Sequence, residues 1–194
     1  MAQIEDWAII AQPLRVGFTW TLVSRLGEML KEIEALLGPR DQSFTLLGIE
    51  FQAEGPQLWF PLAHEGRKDV VIQLSTATLT NSALGLCELA HEAVHLLNPR
   101  AEGISTLEEG LAVWFQRRYT STHFQLKVHQ RSEAHDRACG LVEKLISHGT
   151  DRLSRLRPQG ASLSEVVAAQ IQSTWPEVPL ELAEALARPF DADD

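Results

Sequence analysis

The chain has 194 residues, of which 44% are hydrophobic and 22% charged, and its formal net charge at pH 7 is -9. This length supports one sizeable core, so we predict a single globular domain over residues 1–194. The negative charge argues against nucleic acid as a partner, although nine basic and four acidic residues stand between residues 117 and 157. Residues 177–194 have the opposite balance, with six acids and one arginine, and about residues 188–194 are predicted to be an acidic tail.

The two cysteines of the chain, Cys87 and Cys139, are too few for a disulfide framework. We therefore predict that both are reduced thiols and that the protein is cytoplasmic. The opening residues, MAQIEDWAII, include two acids and no basic stretch, which is unlike a secretory signal. No apolar run approaches the length of about 18 residues that a membrane span requires, so no membrane partner is predicted.

The first predicted element is an amphipathic helix over residues 18–37. Its apolar residues recur at intervals of three and four, and Gly38-Pro39 provides the expected stop. These apolar residues are Phe18, Leu22, Leu26, Met29, Leu30, Ile33 and Leu37.

Three short segments with strand character follow: FTLLGIEF (44–51), QLWFPL (57–62) and DVVIQLS (69–75). All three are rich in β-branched and aromatic residues, and the intervening AEGP and AHEGRK segments are typical of turns. Because the connections are short, we predict a three-stranded, mainly antiparallel meander.

The second half of the sequence is predicted to be helical. One helix follows Asn81 through SALGLCELAHEAVHLL and ends before Asn98-Pro99, and another begins near Thr106 and includes EEGLAVWFQRRY. Further helical segments are predicted at residues 130–147, 162–173 and 179–187. The order of helix, small sheet and helices predicts an α+β fold.

The segment CELAHEAVHLLNP, residues 87–99, carries two histidines four residues apart. On a helix, His91 and His95 project from one face and can bind the same metal ion. Glu92 lies about 100° round the helix from His91, where it can approach a water on the metal without being a ligand. Imidazole and carboxylate ligands favour zinc, and a catalytic zinc needs three protein ligands and one open position. HEAVH supplies two of the three, and an acidic pair follows in STLEEGLAVWF.

HEAVH followed by EEGLA resembles the gluzincin branch of zinc metallopeptidases, which includes thermolysin-like proteases and zinc aminopeptidases. The resemblance covers about residues 82–119 and implies a zincin-like fold, with Glu92 as catalytic base and with His91, His95 and Glu109 as zinc ligands. Glu108 would then orient a ligand histidine or meet a substrate amine. Since Glu108 and Glu109 are adjacent, an exchange of their roles stays open, with Glu109 favoured by its position before Gly110.

The resemblance also implies a second hydrogen-bond donor for the oxyanion, which gluzincins supply from a downstream tyrosine or histidine. His135 is the first candidate, because EAHDRACGLVEKL begins a helix that can lie across the cleft. Tyr119, at the end of the glutamate-bearing helix, is the alternative. Cys87 lies one turn before His91 and is predicted to be a buried thiol; as a fourth ligand it would close the site and make the zinc structural.

The resemblance implies a zinc-dependent peptidase that acts on a peptide or protein, with Glu92 as general base for a zinc-activated water. Endopeptidase and aminopeptidase action both stay open, and so does the oligomeric state. The alternatives are a metal-binding regulatory or interaction protein with the same fold and no peptidase activity, and a zinc site that only holds helices together. A further hypothesis is that the acidic tail folds over the basic region 117–157 as a lid.

Overall fold

The computed structural model describes residues 21–61, 68–126, 132–157 and 161–192, and the backbone of two short strands near the N-terminus. These strands, β1 (Pro13–Leu14) and β2 (Gly17–Phe18), form an antiparallel pair. Residue 62 of the second predicted strand, residues 130–131 of a predicted helix and residues 193–194 of the tail lie outside the described residues. In the part of the chain that is described, no helix is long and apolar enough to span a membrane.

The first helix, α1 (Leu22–Leu37), begins at a cap formed by Thr21. The Thr21 hydroxyl accepts a hydrogen bond from the Ser24 amide at 3.2 Å, and the Ser24 hydroxyl accepts one from the Thr21 amide at 2.7 Å. This reciprocal cap fixes the helix start. The prediction that the helix begins at Phe18 is therefore wrong, and Phe18 lies in β2. The buried face is the one that the spacing predicts, with Leu26, Met29, Ile33 and Leu37.

The C-terminal end of α1 is held by a buried arginine from the second half of the chain. Gly38 follows the helix with a positive φ of 85°, and the helix end leaves carbonyl groups that need donors. The Arg157 guanidinium, in a side chain that is almost fully buried, donates hydrogen bonds to the carbonyl oxygens of Leu37, Gly38, Pro39 and Ala161. A cation at this helix end also interacts favourably with the helix dipole, so Arg157 stabilises the attachment of α1.

The three predicted strands are present, but their pairing differs from the predicted meander. β3 (Phe44–Gln52) pairs in parallel with β5 (Lys68–Ser75) along the whole length of both strands. β4 (Gln57–Trp59) pairs antiparallel with the other side of β5, from Gln57 opposite Gln73 to Trp59 opposite Val71. The sheet is therefore mixed, in the order β3-β5-β4, and the prediction of a mainly antiparallel sheet is wrong.

β5 takes the central position because it is the strand with the most buried apolar residues. Val70, Val71, Ile72 and Leu74 are all buried, whereas β3 and β4 contain only half-buried and exposed residues. Placing β5 in the centre removes the most apolar surface from water, so it inserts between the two strands that precede it. Burial, and not the length of the connections, decides the strand order.

The two helices predicted around the motifs are confirmed. α2 (Ser82–His95) starts at Asn81, whose side chain accepts a hydrogen bond from the Leu84 amide at 3.0 Å. α3 (Thr106–Phe124) starts at Ser105, whose hydroxyl accepts one from the Glu108 amide at 3.2 Å. Every residue from 85 to 97 is buried, because α2 packs against α1, α3 and β5.

A buried carboxylate fixes α2 against the sheet. Glu88 accepts hydrogen bonds from the Ser75 amide at 2.8 Å and from the Ser75 hydroxyl at 2.7 Å. Ser75 is the last residue of β5, so these bonds join the end of the central strand to the middle of α2. They set the position of His91 and Glu92, which follow Glu88 by about one helical turn.

The described chain continues with α4 (Glu133–Ile146), α5 (Ala168–Thr174) and α6 (Leu180–Ala187). α4 packs against α3, and α5 packs against α6. The helix predicted at 162–173 is wrong in its first part, where Leu163–Glu165 is a short 3-10 turn capped by Ser162. Residues 166–167 are extended β-branched residues, so α5 begins only after them. Together the described elements form the predicted α+β fold.

The crossing of α3 and α4 at Gly110 provides a test of this packing. A Cβ atom at Gly110 would overlap the carbonyl oxygen of Ala138 and lie 2.7 Å from Cγ2 of Val142. Gly110→Ala should therefore push the helices apart and lower the free energy of unfolding by about 1–3 kcal/mol, measured by urea denaturation.

Gly140→Ala is the matched control, since Gly140 lies within α4 and a Cβ atom there meets no atom within 4 Å. The higher helix propensity of alanine should raise the stability of this variant by up to about 1 kcal/mol. Equal effects of the two substitutions would show that α3 and α4 do not approach closely at Gly110.

Candidate metal centre

Two helices bring three ligand-type side chains to one point. α2 carries His91 and His95 one turn apart, and the first turn of α3 carries Glu109. The two Nε2 atoms lie 3.2 Å apart; Glu109 Oε1 is 3.1 Å from His91 Nε2, and Glu109 Oε2 is 3.6 Å from His95 Nε2. Among the described residues, these three buried side chains form the group whose ligand atoms are close enough to hold a metal ion.

The spacing of these atoms fits a small divalent ion. Zinc bonds to nitrogen and oxygen are about 2.0–2.2 Å long, so two ligand atoms on a tetrahedral ion lie about 3.3–3.6 Å apart. The two Nε2 atoms, 3.2 Å apart, come close to this range, and Glu109 has one oxygen 3.1 Å from His91 Nε2 and the other 3.6 Å from His95 Nε2. Three protein ligands leave one tetrahedral position for water or substrate, which is typical of catalytic rather than structural zinc sites.

Glu108 lies behind this group and orients His95. Its Oε1 is 2.9 Å from His95 Nδ1, and its Oε2 accepts a hydrogen bond from the Ser164 hydroxyl at 2.6 Å. The Ser164 hydroxyl in turn accepts one from the Ser105 amide at 2.8 Å. A proton on His95 Nδ1, donated to Glu108, leaves the Nε2 lone pair available for a metal. The structure thus places Glu109 at the two Nε2 atoms and Glu108 on the outer nitrogen of His95.

The charges around the histidines favour a cation at this point. Burial lowers the pKa of His95, but the hydrogen bond to Glu108 and the negative charges of the nearby carboxylates outweigh it and raise the pKa to about 9. Burial raises the pKa of Glu109, yet hydrogen bonds from His135 and His91 and the histidine charges bring it well below its usual range. Glu109 is therefore ionised, and a bound cation can take the place of the proton on His95.

The site opens into a cleft of about 270 Å³. Glu92 follows His91 on α2, is almost fully buried and lines this cleft together with the three ligand-type residues. Residues 56–58, at the start of β4, also line the cleft, as do residues of the loop between α2 and α3. Glu92 therefore borders the same cleft as the three ligand-type side chains.

His135, the predicted oxyanion donor, also lies in the cleft. Its Nε2 is 3.2 Å from Glu109 Oε1, and its Nδ1 is 2.6 Å from the hydroxyl of Ser132, which caps α4. The Phe190 ring packs edge-on against the imidazole, with 5.1 Å between ring centroids. These contacts hold His135 beside Glu109, and its side chain is 17% exposed.

Two other predicted positions do not line the cleft. Tyr119 is buried on α3, where its ring contacts Phe115, His123 and Phe124, and burial raises its pKa to about 12. Cys87 is a buried thiol, as predicted, and is not part of the metal-binding group found in the described residues. Of the two candidates for the oxyanion donor, the structure therefore brings His135 and not Tyr119 to the site.

The C-terminal segment reaches the site by backbone pairing. The Thr106 amide donates a hydrogen bond to the Arg188 carbonyl at 2.8 Å, and the Phe190 amide donates one to the Ile104 carbonyl at 2.8 Å. This pairing places Phe190 on His135. Residues 188–190 thus contact α4, within the basic region, through backbone hydrogen bonds to residues 104–106 and the ring contact with His135.

Three residues that the structure places in or behind the cleft were not predicted from the sequence: Arg100, Ser164 and Phe190. They lie in loops or short turns, where neither helical nor strand periodicity applies. Ser164 is 56 residues from Glu108 in sequence, so no local pattern marks it. Only the tertiary fold brings these side chains to the two motifs.

Comparisons of the chain with protein-family models, with curated proteins and with solved structures give no match. The interpretation of this centre therefore depends on its own geometry and on the resemblance of HEAVH and EEGLA to the gluzincin motifs.

The geometry predicts which side chains bind the metal. Protein reconstituted with zinc and then desalted should hold about one zinc per chain by mass spectrometry, since the site offers three ligands. His91→Ala and Glu109→Ala should lose the ion. Glu108→Gln should keep it with an affinity about 10–100-fold weaker, because Glu108 orients His95 without binding the metal.

Glu177→Gln is the control for these variants, since Glu177 is an exposed carboxylate that pairs with Arg152 at 2.8 Å and lies outside the cleft. Its zinc content should equal that of the wild type. Full zinc content in Glu109→Ala, or equal losses in Glu108→Gln and Glu109→Ala, would contradict the assignment of the third ligand.

Proposed function

We propose that the protein is a zinc-dependent hydrolase, and specifically a gluzincin-type peptidase of the cytoplasm with a zincin-like fold. The observation that carries this proposal is the convergence of His91, His95 and Glu109 at an open cleft that Glu92 also lines. Three ligands with a free fourth position are typical of catalytic zinc. A carboxylate next to that position is the group that hydrolysis of a peptide bond requires.

His91, His95 and Glu109 would hold the ion, which when bound supplies a Lewis acid that polarises a carbonyl and lowers the pKa of water to about 7. Glu92 acts as general base: its carboxylate accepts a proton from the attacking water and then delivers it to the leaving amine. Glu108 keeps the proton of His95 on Nδ1, so that Nε2 stays available as a ligand.

His135 is the group proposed to stabilise the oxyanion. Its Nε2 faces Glu109 Oε1 at 3.2 Å, at the wall of the cleft where the substrate carbonyl would lie. Ser132 and Phe190 hold the ring at this wall, so a rotation of the ring would be needed to redirect the Nε2–H from Glu109 to the negative oxygen.

The position of β4 supports an extended peptide as the substrate. β4 is the outer strand of the β3-β5-β4 sheet, and Gln57 and Leu58 line the cleft. One edge of β4 pairs with β5, and in the described part of the chain no strand pairs with the other edge. A peptide can add to such an edge through backbone hydrogen bonds, which would place the peptide bonds of the substrate across the cleft.

Glu92→Gln tests the proposed general base. The substitution should keep the zinc and lower the cleavage of a mixed peptide library by about 10²–10⁴-fold, because an amide cannot accept the proton. Cleavage is measured by mass spectrometry, with zinc content determined on the same samples. A wild type that holds zinc and cleaves nothing would instead favour the alternative of a metal-binding regulatory or interaction protein.

His135→Gln tests the oxyanion donor. At unchanged zinc content, kcat should fall by about 10²–10³-fold while KM changes little, because the contact is made mainly in the transition state. His123→Gln is the control, since His123 is exposed and pairs with Glu32 at 2.6 Å outside the cleft. Equal kcat values for the two variants would remove His135 from the mechanism.

A further inference from the structure

Arg100 gives the cleft a permanent positive charge beside the candidate metal site. It lies in the loop between α2 and α3 and lines the cleft together with Glu92 and Glu109. Among the described residues that line this cleft, it is the one arginine or lysine. The neutral backbone of a peptide does not require a guanidinium, so the cleft is equipped for a group of opposite charge.

The pairing of Arg100 leaves most of its hydrogen-bonding capacity available. Its Nη1 contacts Glu165 Oε1 at 3.2 Å, and the two side chains are 32% and 62% exposed. A guanidinium carries further N–H donors, arranged to bind a carboxylate through two parallel hydrogen bonds. Exposed ion pairs of this kind are weak, so a carboxylate of a bound molecule can replace Glu165.

An anionic group needs such a partner in this cleft. The whole chain has a net charge of -9, and the carboxylates of Glu92 and Glu109 lie at the cleft wall. Zinc bound at the candidate centre would offset the charges of these two carboxylates, but it donates no hydrogen bond to an anionic group. Arg100 supplies a positive charge and paired N–H donors at short range, where salt screens the interaction least.

We propose that Arg100 determines specificity by binding a carboxylate of the peptide substrate. The substrate class is then an extended peptide with an anionic group near the scissile bond, either its C-terminal carboxylate or an acidic side chain. Arg100 takes no part in breaking the bond. The inference rests on the proposed function, since it concerns the same cleft.

The test uses three dipeptide hydroxamates, because a hydroxamate anchors each probe to zinc in the same way. One probe has a free C-terminal carboxylate, one has a C-terminal amide, and one has the amide and a glutamate side chain. Their affinities for the zinc-reconstituted full chain are measured by calorimetry. In the wild type, at least one carboxylate probe should bind about 10–100-fold more tightly than the neutral amide, as expected for a charged hydrogen bond.

Arg100→Gln should abolish this preference and leave the affinity for the neutral amide unchanged, which also verifies that the variant is folded. Arg152→Gln is the matched control: Arg152 pairs with Glu177 at 2.8 Å, its side chain is also 32% exposed, and it lies outside the cleft. Both substitutions remove one positive charge, so a general charge effect would appear in both. Glu165→Gln should strengthen the binding of the carboxylate probe, because it removes the competing anion.

The tighter of the two carboxylate probes identifies the source of the anionic group. The inference is overturned if neither carboxylate probe binds more tightly than the amide, or if Arg100→Gln keeps the preference. A different result, in which none of the three hydroxamates binds the zinc-loaded protein, would overturn the proposed function and this inference with it.

Discussion

The burial of ionisable side chains between α2 and α3 is the constraint on which the site depends. His91, His95, Glu108 and Glu109 are all nearly inaccessible to solvent, where unpaired polar or charged groups would be strongly unfavourable. Two adjacent glutamates at the start of α3 provide partners for the buried histidines. Glu108 pairs with Nδ1 of His95, and Glu109 lies near Nε2 of both His91 and His95. Their place in the first turn of α3 adds a favourable interaction with the helix dipole.

The surrounding structure keeps these helices in fixed positions. Glu88 ties α2 to the end of β5, and the close approach at Gly110 sets α4, with His135, against the helix that carries Glu109. Functional side chains must be held to within about 0.5 Å of a productive arrangement, which rigid packing achieves better than loops do. The fold is thus built around two helix contacts, and the sheet supplies the outer strand at the cleft.

The helices around the motifs could be predicted because their signals are local. Asn81 and Ser105 cap the two helices within one turn, and the spacing of HEAVH places two imidazoles on one face wherever the helix packs. Glu109 could be favoured over Glu108 as a ligand because a glycine follows it. In the structure this glycine is needed for packing, since α4 approaches α3 closely at Gly110.

The strand order and the outer parts of the site could not be predicted, because they depend on contacts between distant segments. The short connections predict a meander, whereas the apolar residues of β5 are typical of a central strand, the position that β5 takes in the structure. The start of α1 was misplaced because the apolar spacing continues through Phe18, whereas the cap at Thr21 decides the boundary. Arg100, Ser164 and Phe190 lie in loops or short turns, where no periodicity of apolar residues predicts their position.

The hydrogen bond from Ser164 to Glu108 has a consequence for the synthesis of the protein on the ribosome. Both motifs leave the exit tunnel well before Ser164, which follows Glu108 by 56 residues. A nascent chain that has made only HEAVH and EEGLA lacks the serine that fixes Glu108, and therefore the group that orients His95. The order of synthesis thus delays the complete set of contacts around His95 until the later segment docks.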